Sequence, residues 1–533
     1  MHADGARSSP GCARITLHSV SSRIDWKTAV LLFAAVLLFS VLGANHPLLI
    51  PGEARHAGIV HDMWAAQQYL MPRIDGLPVL DGAPLHYWVS LFFVELFGAS
   101  EWVARLPSAL AAAVTLVFLV RLWLPRISVG AVVPLVVMFL IQPAVVVASR
   151  YASADMFNVM LLALSVGSFL LAVECVEQHR QAGGQILRAW IACALLGLAA
   201  GPMAIAVPLI IVFLWLATRR KAGLIRLMCW WPGPLSAAAL ILPWYVLVAD
   251  RYPGIVTTIL HKQALQLWDG GRHSWAEMGC FGYGLLLFGG LVPLMVCLYR
   301  YWDANRRQAL RTPVAGLMAT WLVVVLFLHP VLAMTAVGPA ALVTIPMLYF
   351  AFVALMPDAK GWRSRDSWAW ALHILVAGVV TSAGVYLAGK QSSTLPTLTS
   401  VVGELYRSAT DKVILLDRYD YEFNFYMRSP KLVYVVSDWR IGVDASPSWK
   451  TELAESAPFA PQTAARMLLT SNDLVQKLCE RRVVNLWVIG SEQAASRHPI
   501  LRDVPIYFGR TDVRVWYLDA ESYLPRCAEH HGG

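Results

Sequence analysis

The sequence predicts an α-helical, polytopic membrane protein that carries a soluble α/β domain at its C-terminal end. Of its 533 residues, 57% are hydrophobic and only 14% are charged, whereas a soluble domain carries roughly 25% charged residues. Long apolar runs recur over residues 28–389, and basic residues collect in alternate loops between them. These observations exclude a soluble globular protein and predict an integral membrane protein.

The apolar runs have the length of membrane-spanning helices. A helix that crosses a bilayer needs about 20 mostly apolar residues. This length predicts about eleven spans, near residues 28–45, 107–124, 130–148, 156–174, 189–200, 202–217, 228–249, 278–299, 314–329, 334–356 and 368–388. The two runs beside Gly201 and Pro202 are short, which predicts two abbreviated helices or one broken helix whose freed backbone groups are covered.

The loops between the spans predict the orientation. Five successive loops on one side are rich in Lys and Arg, namely those with Arg121 and Arg126, with Arg180 and Arg188, with Arg219 to Arg226, with Arg300 to Arg311, and with Lys360 to Arg365. The positive-inside rule places these loops and the N-terminus in the cytoplasm. The net charge of +9 therefore reflects topology, and no nucleic-acid partner is expected. An odd number of spans puts the C-terminal tail outside.

The predicted organisation has three parts. Residues 1–27 form a cytoplasmic N-terminus, residues 28–389 a transmembrane domain whose first outer loop covers about 46–106, and residues 390–533 a soluble domain. The first apolar run follows a basic segment, as a retained signal-anchor does. Short β-branched and aromatic runs such as KLVYVVSDW and VRVWYLD predict an α/β sandwich in the tail. Cys479 and Cys527 could pair there in an oxidising compartment.

The first outer loop opens with PGEARHAGIVHDMW, which carries Glu53, Arg55, His56, His61 and Asp62. Charged groups beside a bilayer are costly unless they are solvated or used. The apolar residues of this segment recur at helical spacing, at Ala57, Val60, Met63 and Trp64. The pattern predicts a helix that lies in the membrane interface with its other face wet. Its charges either face water only or belong to a functional site.

Two further outer segments carry polar residues at helix ends. His86, Tyr87 and Trp88 begin an apolar stretch after a turn at 82–84, as an interfacial aromatic belt does. Asp155 lies at the outer end of the fourth predicted span. An acidic residue there is expected to be functional or to cap the following helix.

The third outer loop combines His261, Lys262, Arg272 and His273. Such cations suit a lipid phosphate or pyrophosphate because they donate charge-assisted hydrogen bonds. The alternative is a solvated loop that touches anionic headgroups of membrane lipids. Imidazoles also suit a divalent metal such as zinc, and five lie on the outer side, at His56, His61, His86, His261 and His273. No close spacing supports a metal site, so a divalent ion is only an option and no cofactor is assigned.

Several segments resemble, in this order, the GT-C membrane glycosyltransferases: GEARHAGI, PRIDGLPVLDGAPLHYW, FGASEWVARLPSAL, SADM, GPMAIAVPL and PWYVLVADRYPG. The resemblance is to the branch of the lipid A aminoarabinose transferases and the protein O-mannosyltransferases, and it covers roughly residues 28 to 350. In the tail, RYDYEFNFYMRSPKLVYVV resembles the periplasmic domain of the lipid A branch.

The resemblance implies a GT-C fold and a reaction at the periplasmic face of a bacterial inner membrane. A sugar would leave a polyprenyl-phosphate carrier and join a lipid or glycan acceptor, with lipid A as a candidate, and with inversion. Such a reaction needs a carboxylate to orient or deprotonate the acceptor and cations to stabilise the departing phosphate. The residues that match the family motifs are Arg55, His86, Tyr87, Trp88, Arg105, Asp155, Pro243 and Trp244.

Three positions depart from the family pattern. Gly52 stands where the family has its first-loop aspartate, Asp81-Gly82 stands where it has Glu-Lys, and Ala200 stands where it has a lysine. Glu53 and Asp155 are therefore the predicted catalytic residues. The predicted substrate-binding residues are Arg55, His56, Asp81, His86, Tyr87, Trp88, Arg105, His261, Lys262, Arg272 and His273.

The departures leave several functions open. Glu53 could replace the missing aspartate as the base, the donor or acceptor could have changed, or the chain could be a degenerate paralogue that binds a lipid without catalysis. A transporter or flippase of lipid-linked sugars is the alternative from another class. Transporters often carry ionisable residues at the membrane midplane, whereas the polar clusters of this chain lie at outer helix ends.

Overall fold

The computed structural model describes residues 26–42, 44–80, 84–123, 132–219, 222–268, 312–328, 338–355, 411–427, 433–439, 448–474, 485–498, 504–510 and 513–519, together with Val379, Pro396 and Leu501. The predicted span at 278–299, most of that at 368–388, and the cysteine pair at 479 and 527 lie outside these residues.

Apolar helices make up the described part of the membrane domain. They are α1 (Trp26–Val41), α2 (Gly52–Ala65), α3 (Leu85–Phe97), α4 (Glu101–Trp123), α5 (Val132–Ile141), α6 (Pro143–Ala148), α7 (Asp155–Glu177), α8 (Gly183–Ala200), α9 (Ala206–Thr218), α10 (Ala222–Ile225), α11 (Pro232–Arg251) and α12 (Ile255–Trp268), followed by Pro313–Leu328, Gly338–Leu342 and Thr344–Leu355. By length and composition, α4, α7, α8 and α11 can each cross a membrane. Shorter apolar helices coincide with other predicted spans, and the chain is a multi-pass membrane protein.

Helix α7 lies at the centre of this bundle. It packs against α4, α8 and α9, and α8 packs in turn against α11. Met156, Phe157, Val159 and Leu162 are all buried although they point in different directions around the helix. A helix that is hydrophobic on every side is typical of a bundle interior.

The predicted break at Gly201 and Pro202 is present. Helix α8 ends at Ala200, Gly201 adopts a left-handed φ of 95°, and a 3₁₀ turn at Pro202–Ile205 precedes α9. The buried side chain of Gln263, on α12, donates to the Ala200 carbonyl at 2.8 Å and accepts from the Met203 N–H. A protein side chain thus covers the backbone groups that the break releases.

The tail contains a six-stranded sheet in the order β5-β4-β3-β6-β8-β7. Its strands are β3 (Asp411–Leu416), β4 (Tyr434–Val436), β5 (Leu468–Leu469), β6 (Asn485–Gly490), β7 (Ile506–Arg510) and β8 (Val513–Leu518). The strands β5, β4, β3 and β6 run parallel to one another, and β8 is antiparallel to both β6 and β7. The described helices of the tail are Phe423–Met427, Trp449–Ser456, Pro461–Met467 and Glu492–Ala495.

One face of this sheet covers the first loop. Val413, Leu415 and Trp487 on that face share a buried cluster with Ile59 and Met63 of α2. The alternate residues of the same strands pack into a second cluster on the opposite face, as the two-residue period of a strand requires. The first loop therefore lies between the membrane helices and the tail sheet. It also contains the short antiparallel pair β1 (Arg73–Ile74) and β2 (Leu77–Pro78).

Candidate active site

Helix α2 carries most of the charged residues of the first loop, and it is largely buried. Glu53, His56 and His61 are all buried, as are the apolar residues between them. The expectation of an interfacial helix with one wet face is wrong for this segment. The local sequence has that pattern, but α2 also packs against α3 and the tail helix Phe423–Met427, which lie far from it in sequence.

Glu53 forms a buried ion pair with Arg105, on the first turns of α4. The Arg105 Nε donates to Glu53 Oε1 at 2.8 Å and its Nη2 to Oε2 at 2.6 Å. The backbone N–H of Ala152 also donates to Oε1, at 2.7 Å, and that of Leu49 to Oε2, at 3.0 Å. Each carboxylate oxygen thus accepts one guanidinium and one backbone hydrogen bond. Both side chains are almost inaccessible, at 0% and 1% exposed.

Arg105 also holds the chain segment that leads from α1 into α2. Its Nη1 donates to the Ala44 and His46 carbonyls at 2.5 and 2.8 Å, and Nη2 donates to the Pro47 carbonyl at 3.3 Å. A guanidinium suits this position because it presents several donors in a fixed plane. Arg105, a predicted substrate-binding residue, is thus engaged by protein groups on every side that the structure describes.

Gly52, at the position of the family aspartate, faces Tyr151. A Cβ atom built on Gly52 would lie 2.2 Å from the Tyr151 hydroxyl oxygen. Burial raises the pKa of Tyr151, and the nearby carboxylates of Glu53 and Asp155 raise it further. The phenol is therefore neutral at physiological pH.

Asp155 is the first residue of α7 and is 1% exposed. Its Oδ2 accepts a hydrogen bond from the Ser153 hydroxyl at 3.1 Å. The N-cap position belongs to Ala154, without a side-chain capping bond, so the structure contradicts the capping alternative for Asp155. Glu53, Arg105 and Asp155 therefore meet around Tyr151.

A second buried cluster lies on α2 and α3 around His56 and His86. Their rings are 4.3 Å apart, and Tyr87 stacks on His56 at 4.8 Å. His56 Nε2 lies 3.1 Å from the Ser90 hydroxyl. In the described part of the chain, neither ring nitrogen of His86 has a hydrogen-bond partner. Burial lowers the pKa of His86 to about 3. Burial, together with the nearby His86 and Arg55, also lowers the pKa of His56. Both rings are therefore neutral.

Two cations among the predicted substrate-binding residues contact the tail. The Arg55 Nε donates to both Glu452 oxygens, at 3.0 and 3.1 Å, and the Tyr421 hydroxyl donates to the same carboxylate at 2.5 Å. Lys262 Nζ lies 2.5 Å from Glu455. Glu452 and Glu455 both belong to the tail helix Trp449–Ser456, which we call the acidic helix.

The remaining predicted residues are placed as follows. Trp88 Nε1 donates to the Tyr69 carbonyl at 2.6 Å, and His261 is exposed on α12. Asp81, Arg272 and His273 lie outside the described residues. Among the described residues, no three His, Cys, Asp or Glu side chains converge as metal ligands would.

Reasoning from the sequence missed a buried acidic pair between the first loop and the tail. Asp75 accepts hydrogen bonds from the Tyr419 hydroxyl at 2.7 Å and from Asn424 Nδ2 at 2.6 Å, and Asp62 accepts from the Gly76 N–H at 3.2 Å. Burial and Asp62 raise the pKa of Asp75 to about 7, and burial raises that of Asp62 to about 6. No local signal separates Asp75 from an ordinary turn residue, because its donors come from the distant tail.

Comparison with known proteins agrees with this architecture. Residues 81–246 match the family described as dolichyl-phosphate-mannose-protein mannosyltransferase. The chain is 29% identical over 279 residues to an undecaprenyl phosphate-alpha-4-amino-4-deoxy-L-arabinose arabinosyl transferase of Edwardsiella ictaluri. This match covers 50% of this chain and 49% of that protein. A protein of the same name from Pseudomonas savastanoi pv. phaseolicola is 26% identical over 310 residues, which covers 56% and 55%. The chain thus matches about half the length of these relatives.

Solved structures share the fold over a larger part of the chain. ArnT from Cupriavidus metallidurans bound to undecaprenyl phosphate has a TM-score of 0.68 at 18% identity and covers 92% of this chain and 98% of its own. The Archaeoglobus fulgidus oligosaccharyltransferase has a TM-score of 0.51 at 12% identity and covers 95% and 72%. Over part of its length the chain is therefore similar in sequence to the aminoarabinose transferases and the O-mannosyltransferases, and it shares the fold of ArnT.

Proposed function

We propose that this protein transfers a glycosyl group from a polyprenyl-phosphate-linked sugar to a lipid acceptor, with lipid A as the first candidate. In this proposal the reaction occurs at the periplasmic face of the bacterial inner membrane and inverts the anomeric carbon. The tail from about residue 390 is then a periplasmic domain. The relatives named as undecaprenyl-phosphate aminoarabinose transferases support this donor class.

The observation that carries the proposal is the convergence of the two predicted acids. Glu53 on α2 accepts the N–H of Ala152, three residues before Asp155, and Tyr151 lies beside both carboxylates. Two chain segments that are distant in sequence thus build one buried acidic centre where the first loop meets the end of α7. An acceptor group has to be oriented or deprotonated at such a centre.

We assign different tasks to the two acids. The four hydrogen bonds to Glu53 occupy both of its oxygens, which suits an anchor of the first loop better than a base. Asp155, buried at the start of α7 where it accepts the Ser153 hydroxyl at 3.1 Å, is our candidate for the carboxylate that meets the acceptor. The sequence-based choice of Glu53 as the base remains the competing prediction.

The departing lipid phosphate needs cationic partners. Arg55 and Lys262 are the described candidates, and each is held by a carboxylate of the acidic helix. A phosphate that binds there has to replace Glu452 or Glu455, because one guanidinium or ammonium group cannot give full charge compensation to two anions. His56, His86 and Tyr87 are proposed to line the adjacent buried side of the site.

The test uses the purified full-length protein with a panel of polyprenyl-phosphate sugars and lipid A, and mass spectrometry identifies the product. Transfer by the wild-type protein and its loss in Asp155→Asn support the proposal. Failure to transfer with every donor, while the donors still bind, would leave a lipid-binding protein without catalysis. Donor movement across a vesicle membrane without a product would instead indicate a flippase.

A further inference from the structure

Tyr151 occupies the space beside Gly52 that a side chain at position 52 would need. A Cβ atom at position 52 would lie 2.2 Å from the Tyr151 oxygen and 3.2 Å from the ring carbon that bears it. Carbon atoms in folded proteins do not approach an oxygen to 2.2 Å, so any larger residue at position 52 would displace the phenol. The Tyr151 hydroxyl thus occupies the space where relatives of this chain would place the first carbon of an aspartate.

The hydroxyl is also tied to both halves of the acidic centre. The Glu53 backbone, the Glu53 carboxylate and the Asp155 carboxylate all lie close enough to shift its pKa. A hydroxyl group has one proton to donate and two lone pairs to accept. As a neutral phenol, Tyr151 keeps a proton that it can donate to a carboxylate or to a bound acceptor. Tyr151 is partly exposed, so a substrate can reach this edge of the ring.

We infer that Tyr151 is a positioning residue that replaces the aspartate which the family pattern has at position 52. In this chain the centre then works with Asp155 as its one base. Tyr151 packs against the first turn of α2 at Gly52 and presents a hydroxyl donor near Asp155. A neutral phenol with a raised pKa cannot act as a base at physiological pH. Among the described groups of the centre, that task falls to Asp155. This inference rests on the proposed glycosyl transfer.

The competing explanation is that the ring only fills space. The two explanations differ in what removal of the hydroxyl does. If the Tyr151 ring only fills space, Tyr151→Phe should change the rate of transfer little. A hydroxyl that orients Asp155 stabilises its ionised form, and without it the pKa of Asp155 rises. The acidic limb of the pH–rate profile then moves to higher pH.

The experiment compares Tyr151→Phe, Gly52→Asp and the double variant Gly52→Asp/Tyr151→Phe, with Tyr245→Phe as the control. Tyr245 is a buried tyrosine on α11, whose hydroxyl lacks a hydrogen-bond partner among the described residues. We expect Tyr151→Phe to lower kcat by about tenfold or more, to change the KM for the donor little, and to shift the acidic limb upward. We expect Tyr245→Phe to leave all three unchanged.

The position-52 variants test whether the two side chains share one space. Gly52→Asp alone should lower the melting temperature because its side chain meets the phenol, and adding Tyr151→Phe should recover part of that loss. Such non-additivity is the signature of direct contact. The inference is overturned if Tyr151→Phe retains the wild-type kcat and pH profile, or if the two melting-temperature shifts simply add. If the wild-type protein transfers no sugar, the proposed function fails, and the melting-temperature cycle, which needs no substrate, still decides whether Tyr151 fills the space at Gly52.

Discussion

Replacement of Glu53 by Gln separates the two tasks that this acid could perform. In the structure each Glu53 oxygen accepts one backbone N–H and one guanidinium N–H. Gln keeps one of these oxygens and puts an amide NH₂ group in place of the other. That NH₂ group would face two donors, and Arg105, which is 1% exposed, would lose its counter-charge.

The expected cost is large. Removal of one partner from a buried ion pair destabilises a protein by about 3–5 kcal/mol, which is a large part of a typical stability of about 5–15 kcal/mol. Arg105 also donates to the carbonyls of Ala44, His46 and Pro47. The double variant Glu53→Gln/Arg105→Met removes the unpaired charge, but it also leaves these carbonyls without their donor. It should therefore recover only part of the loss. Glu492→Gln is the control, because that glutamate is 76% exposed and only 4.0 Å from Arg514, and we expect little change there.

The assay measures the fraction of folded protein that remains in detergent after heating, since many large proteins unfold irreversibly. Transfer activity is then measured at low temperature and expressed per folded molecule. For an anchor we expect a strong loss of heat resistance with activity retained by the folded fraction. Unchanged heat resistance together with abolished transfer would refute the anchor assignment and would make Glu53 the base.

Three further predictions follow from other contacts. Asp155→Asn should lower kcat by about 100-fold or more if Asp155 is the general base, with melting temperature near that of the wild type; wild-type kcat in this variant would contradict the assignment. Glu455→Gln should strengthen binding of undecaprenyl phosphate because it removes a carboxylate that competes for Lys262, an effect that high salt should reduce; equal affinities in a titration of both proteins would argue against competition. Asp75, whose pKa is raised from 3.8 to about 7, binds a proton in the folded state where the unfolded chain has lost it. Asp62, whose pKa is raised to about 6, acts in the same direction. Stability should therefore fall as pH rises from about 4 to about 7 and stay level above that range. Asp75→Asn should reduce this dependence in melting curves taken across pH, and an unchanged slope would rule out a contribution from Asp75.

The acidic helix illustrates how a correct choice of residues can still miss their contacts. Lys262 was selected as a phosphate ligand because it is a cation of the third outer loop, and Arg55 was selected as a substrate-binding residue because it matches a family motif. The structure gives each a carboxylate partner from Trp449–Ser456, which lies some 190 or more residues further along the chain. Nothing in the local pattern of either segment predicts that pairing, because it depends on how the tail is docked.

By itself, the sequence determined the class of this protein and predicted several residues of its candidate site. Hydrophobic runs of membrane length and their basic loops specify helices in a bilayer, because burial of apolar surface and the cost of charges act locally along the chain. The tertiary structure alone decided what the charged residues of α2 contact. Glu53 meets Arg105 and the N–H of Ala152, and Tyr151 fills the space at Gly52, because hydrogen bonds and steric contacts depend on distances of a few ångströms between segments far apart in sequence. The absent aspartate was visible in the sequence, and the phenol in its place was visible only in the fold.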